Sequence, residues 1–77
     1  MPRLKCTFRE FIAILERNGF VEIEDRQRGS HRKFRREDPG GVRLVIVAYH
    51  AIGDEILPGT LMSMVRQSGL SKSLFRK

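Results

Sequence analysis

One histidine, His31, lies in the densest basic stretch of the chain. Residues 25–36 read D-R-Q-R-G-S-H-R-K-F-R-R. The stretch holds six Lys or Arg side chains (Arg26, Arg28, Arg32, Lys33, Arg35 and Arg36) against one acid, Asp25. It therefore carries a net +5 of the whole chain's +6. An imidazole exchanges protons near neutral pH, and a basic surface concentrates phosphates. Together these residue types point to acid–base chemistry on a phosphodiester backbone. They also fit a solvated strand, where exposed Lys and Arg deter aggregation. Residue types alone leave His31 open between the two readings.

The elements that must position this histidine are legible from periodicity. Phe8, Phe11, Ile12 and Leu15 recur at i, i+3, i+4 and i+7, which predicts a helix over residues 8–18. Thr7 followed by Glu10 matches a capping box, and Gly19 follows as the stop. Residues 20–28 change period: Val21 and Ile23 alternate with Glu22 and Glu24, as on a half-buried strand. Gly29 can supply the backbone angles of a turn or bulge, and Gly29 with Ser30 would support the loop at the histidine. Residues 30–36 form the next strand. With Phe34 turned to the core, Ser30 and Arg32 share its face, and His31, Lys33 and Arg35 project from the opposite, solvent face.

The cluster E-D-P-G-G over residues 37–41 predicts a turn. The apolar run V-R-L-V-I-V-A-Y over residues 42–49 has the look of a central strand or one covered on both faces. Residues 51–59 read as a loop, Pro58 opens a second helix with Leu61, Met64 and Val65 on its apolar side, and Gly69 ends it. Ser71 caps a short final turn containing Leu74 and Phe75. The expected fold class is α+β: a single small domain over residues 1–77, ordered α-β-β-β-α. A three-stranded antiparallel sheet carries both helices on one face.

Composition narrows the function classes. At 77 residues the chain has room for one small core, and its 40% hydrophobic content favours a folded globule. A net charge of +6 asks for an anionic partner. No apolar run reaches the ~20 residues of a membrane-spanning helix, so no membrane role is expected. The start M-P-R-L-K-C has no apolar core of a secretion signal, and one cysteine, Cys6, forms no internal disulfide. A cytoplasmic protein is the expectation. One Cys and two His make a poor zinc-ligand set, and neither metal nor other cofactor is expected.

Four segments taken in order carry a family resemblance. They are F-I-A-I-L-E-R-N-G-F (residues 11–20), R-G-S-H-R-K-F (28–34), V-A-Y-H (47–50) and P-G-T-L-M-S-M-V-R-Q-S-G-L (58–70). The chain resembles the HicA family of small toxin endoribonucleases from bacterial toxin–antitoxin modules, over essentially its whole length. The resemblance implies a double-stranded-RNA-binding-domain-like fold. It implies that His31, after Gly29-Ser30, is the catalytic residue. It further implies mRNA cleavage, and so inhibition of translation and growth, without a ribosome or a metal. The implied partner is a HicB-like antitoxin that binds tightly and covers His31; DNA would be reached only through that antitoxin. Two departures stand out: Ala48 replaces the proline of a common Val-Pro-x-His pattern, and the 37–41 turn is longer than usual.

The resulting assignments are as follows. His31 performs acid–base work, and Arg28, Arg32, Lys33 and Arg35 contact RNA, with Lys33 and Arg35 the better placed by alternation. His50, at the end of the third strand, is either a hydrogen-bonded structural histidine or a second proton-transfer group. The second helix starts with L-M-S-M-V where duplex-RNA binders carry lysines, which argues against strong duplex binding. The alternative functions are a non-catalytic RNA-binding module on the same basic face and an adaptor for an acidic protein.

Overall fold

The computed structural model describes residues 5–23 and 31–75. Helix α1 (Phe8–Arg17) begins at the capping box read from the sequence. The Thr7 hydroxyl accepts from the Glu10 amide at 3.2 Å, and the Glu10 carboxylate accepts from the Thr7 amide at 2.9 Å. The helix ends at Asn18, and Gly19 takes the left-handed φ of +89° that lets the chain turn back. Strands β1 (Val21–Ile23), β2 (His31–Asp38) and β3 (Gly41–Ala48) form an antiparallel meander in the order β1-β2-β3. Helix α2 (Pro58–Ser68) follows, then a 3-10 turn over Lys72–Phe75. Ser71 caps that turn through its hydroxyl, which accepts from the Ser73 amide at 3.3 Å. The order α-β-β-β-α is the one expected.

Both helices lie on one sheet face. The core between the layers gathers Phe11, Leu15, Phe20, Phe34, Val45, Val47, Leu61, Val65 and Phe75, all nearly or wholly buried. Phe11 and Phe75 stack with ring centroids 5.0 Å apart, closing the C-terminal turn over α1. Helix α2 stops at Gly69, whose φ of +68° suits glycine and whose missing side chain leaves room for the Arg43 guanidinium. Among the described residues, no helix is long and apolar enough to cross a membrane.

Two expectations are corrected. The β2–β3 hairpin is tighter than the five-residue turn predicted, because pairing continues through Glu37↔Val42 to Asp38↔Gly41. Asp38 holds this end: it accepts from Arg36 Nε at 2.6 Å and from Arg43 Nε at 2.9 Å. The second correction concerns β3, which is neither central nor covered on both faces. It is an edge strand, with Val45 and Val47 buried while Val42, Leu44 and Ile46 remain about half exposed (53%, 50% and 50%). Among the described residues there is one layer of helices, so the alternate residues of an unbroken apolar run face outward.

The capping box sets where α1 begins. Thr7→Ala removes an oxygen that satisfies a helix amide and is expected to cost about 1 kcal/mol, which lowers the melting temperature of so small a domain by about 4–8 °C in a circular-dichroism melt.

Candidate functional site

Strand β2 divides its side chains between the two sheet faces. Phe34 is fully buried on the helix side. Glu22 of β1 sits directly across from it, and Arg32 shares its face. Arg32 closes a two-point ion pair with Glu22, Nε to Oε2 at 2.8 Å and Nη2 to Oε1 at 2.6 Å. The guanidinium also lies 5.6 Å from the Phe34 ring centroid. One guanidinium therefore ties β1 to β2 beside His31. The hydrogen bond from Arg32 holds the Glu22 carboxyl below its usual range, against the opposing effect of burial. Glu22 in turn raises the Arg32 guanidinium above its ordinary value.

Arg36 is occupied in a similar way. It chelates Asp38 through Nε and Nη2, donates from Nη1 to the Asn18 carbonyl at 3.2 Å, and lies over the Phe20 ring at 5.1 Å. It thereby caps the C-terminus of α1, where a cation is favoured. Asp38 is held below the usual carboxylate range, first by Arg36 and then by Arg43.

The open face is the one that carries His31. Cross-strand register places His31 opposite Ala48, Lys33 between Ile23 and Ile46, and Arg35 between Val21 and Leu44. A central column of one imidazole and two cations thus runs between two apolar rows. Successive members of the column stand about 6.8 Å apart along the strand. Arg35 donates to the exposed Glu37 at 2.8 Å, a pairing that solvent weakens and that a phosphate can displace. His50 lies two residues beyond Ala48, so both histidines belong to the same end of the sheet. A cavity of about 350 Å³ opens there, bounded by Phe8, Ala48, Tyr49, His50, Leu57 and Thr60, with Asp54 and Glu55 at its margin. Among the described residues, no group of three or more His, Cys, Asp or Glu side chains converges as metal ligands would.

Of the residues singled out from sequence, His31, Lys33 and Arg35 share one face. Arg32 does not: strand alternation turns it inward, where Glu22 holds it. Arg28, Gly29 and Ser30 lie outside the described residues. Sequence reasoning missed the Glu22 partner of Arg32. The alternation of β1 predicts Val21 and Ile23 as its buried positions; instead Glu22 takes the Phe34 side and Val21 is 69% exposed, because the pairing register puts Glu22 across from Phe34. It also missed the outward Leu44 and Ile46, hidden in a run of residues that are all apolar.

A family model described as the HicA toxin of bacterial toxin–antitoxin systems matches residues 8–70. The chain belongs to the HicA toxin family. It is thus the toxin half of a toxin–antitoxin module, and its partner is an antitoxin. The match spans both helices and all three strands, so it includes His31 and the whole open face. Comparison with curated proteins and with solved structures gave no match.

The Glu22–Arg32 pair gives a pH signature. Because the folded Glu22 carboxyl sits below its unfolded value, its contribution to stability is full above the unfolded value and fades as pH falls through the folded one. The Glu22 side chain is 39% exposed; with that solvent access, Glu22→Gln is expected to cost about 1 kcal/mol at neutral pH. The melting temperatures of parent and variant should converge as pH falls below the ordinary glutamate range. A gap that persists unchanged at low pH contradicts the pairing.

Proposed function

We propose that this HicA toxin is an endoribonuclease that cleaves single-stranded mRNA in the cytoplasm and so stops translation and growth, with His31 as its acid–base residue. The observation that carries the reading is the placement of His31 at the head of the Lys33–Arg35 column on an open sheet face. The ribose 2′-oxygen attacks the adjacent phosphorus as its proton leaves to a base. The bond from phosphorus to the 5′-oxygen of the next nucleotide breaks, and that oxygen takes a proton from an acid. The products are a 2′,3′-cyclic phosphate and a free 5′-hydroxyl. His31 takes or gives one of these two protons, and the chemistry uses no metal. Lys33 and Arg35 hold the phosphate and stabilise the charge that builds on it.

Arg32, fixed to Glu22, acts as a positioning residue that keeps the strand end at His31 in place. Arg28 is assigned a further phosphate contact, and Gly29 with Ser30 the support of the histidine; all three lie outside the described residues. His50, at the same end of the sheet, is the candidate for the second proton transfer. A HicB-like antitoxin neutralises the toxin by covering the open face, and DNA is engaged only through that antitoxin. The apolar rows beside the cations support both uses of the face, since they offer contact area to bases and to a protein alike.

The test is cleavage of a single-stranded RNA with EDTA present. His31→Ala is expected to lower the rate at least about 100-fold while the melting curve stays parental. Binding without cleavage by the parent would favour a non-catalytic RNA-binding module, and equal cleavage by parent and variant would remove His31 from the chemistry. His50→Gln in the same assay decides its part: a parental rate leaves it structural.

Lys33→Ala and Arg35→Ala should each weaken RNA binding and reduce the slope of log affinity against log salt by about one. Unchanged slopes for both would place the phosphates elsewhere.

A further inference from the structure

The outer edge of β3 is an open template for another strand. It runs eight residues, Gly41–Ala48, and pairs only with β2 on its inner side. Among the described residues, nothing pairs with its outward amides and carbonyls. Sheet edges are ordinarily blunted by short length, proline, lysine or a bulge. Apart from the charge of Arg43, β3 has none of these: its register against β2 is one-to-one throughout, and V-R-L-V-I-V-A holds neither Lys nor Pro. The opposite edge differs, with Glu22 at the middle of the three described residues of β1.

A groove of about 370 Å³ follows this free edge. Ile46 and Ala48 bound it on the strand side; Thr60, Ser63, Met64 and Gln67 bound it on α2. A strand laid beside β3 would place alternate side chains in this groove and the others next to Leu44 and Ile46. Arg43, the one charged residue of β3, is paired with Asp38, while Arg66 is the one charged residue of α2 and the whole chain carries +6. A second copy would bring the same net positive charge against itself, whereas an acidic strand would meet complementary charge.

We infer that the β3 edge and the β3–α2 groove dock an extended acidic strand of the antitoxin, which adds to the sheet as a fourth strand. The inference deepens the partner reading above and rests on the antitoxin of this family's modules. It does not depend on RNA cleavage. Anchoring at the edge continues the sheet from the row of Leu44 and Ile46. The rest of the antitoxin is then carried over the His31 face next to it.

Amide hydrogen exchange tests this on the ¹⁵N-labelled toxin, alone and bound to the antitoxin of its own module. The alternate β3 amides that point away from β2 should exchange freely in the toxin alone and become protected in the complex. Ser63→Glu adds bulk and a like charge to the groove and should weaken the complex about tenfold, with an unchanged melting curve and unchanged RNA cleavage. The inference is overturned if the complex forms while these amides exchange as in the free toxin. It is equally overturned if no complex forms, or if the free toxin is a dimer with the amides already protected. Failure of the RNA cleavage assay leaves these outcomes readable, because neither measurement uses catalysis.

Discussion

The period of two along β2 forces neighbouring residues to opposite faces of the sheet. Phe34 must be buried for two helices to pack on a small sheet, and it is. That single requirement sends Arg32 and Arg36 to the helix side and leaves His31, Lys33 and Arg35 outside. The inward arginines cannot be left unpaired against the core, and Glu22, Asp38 and the end of α1 engage them. Five consecutive basic or aromatic positions thus do two different jobs. One set closes the domain, and the other set equips its surface.

This division changes the meaning of the charge. Six cations in twelve residues look like one phosphate-binding patch when read as a string. In three dimensions Arg32 and Arg36 turn to the helix side and pair with Glu22 and Asp38, so the open face carries a narrower column than the string implies. Its flanks are apolar, supplied by Val21, Ile23, Leu44 and Ile46. Such a surface is suited to a single strand of RNA, whose phosphates and bases ask for different contacts. It is also suited to a protein partner, so the proposed RNA site and a proposed antitoxin contact are compatible on one face.

Much of the fold was legible because its signals are local. Thr7 and Glu10 announce the start of α1, Gly19 and Gly69 announce the helix ends, and the alternation around Phe34 fixes which side His31 takes. The errors arose where the deciding information is not local. Residues 42–49 are apolar at both parities, so nothing in that run says that one face lacks a covering layer. The bond between Glu22 and Arg32 depends on β1–β2 register, which the sequence of either strand alone does not contain.

The central claim is that the His31 face, rather than the helix face, receives RNA. The most direct measurement is an NMR titration of the ¹⁵N-labelled toxin with a single-stranded 2′-O-methyl RNA, which has no free 2′-hydroxyl to attack. The account predicts shifts concentrated at Ile23, His31, Lys33, Arg35, Leu44 and Ile46. Shifts concentrated on α1 and α2, with this face unmoved at saturating RNA, would contradict it.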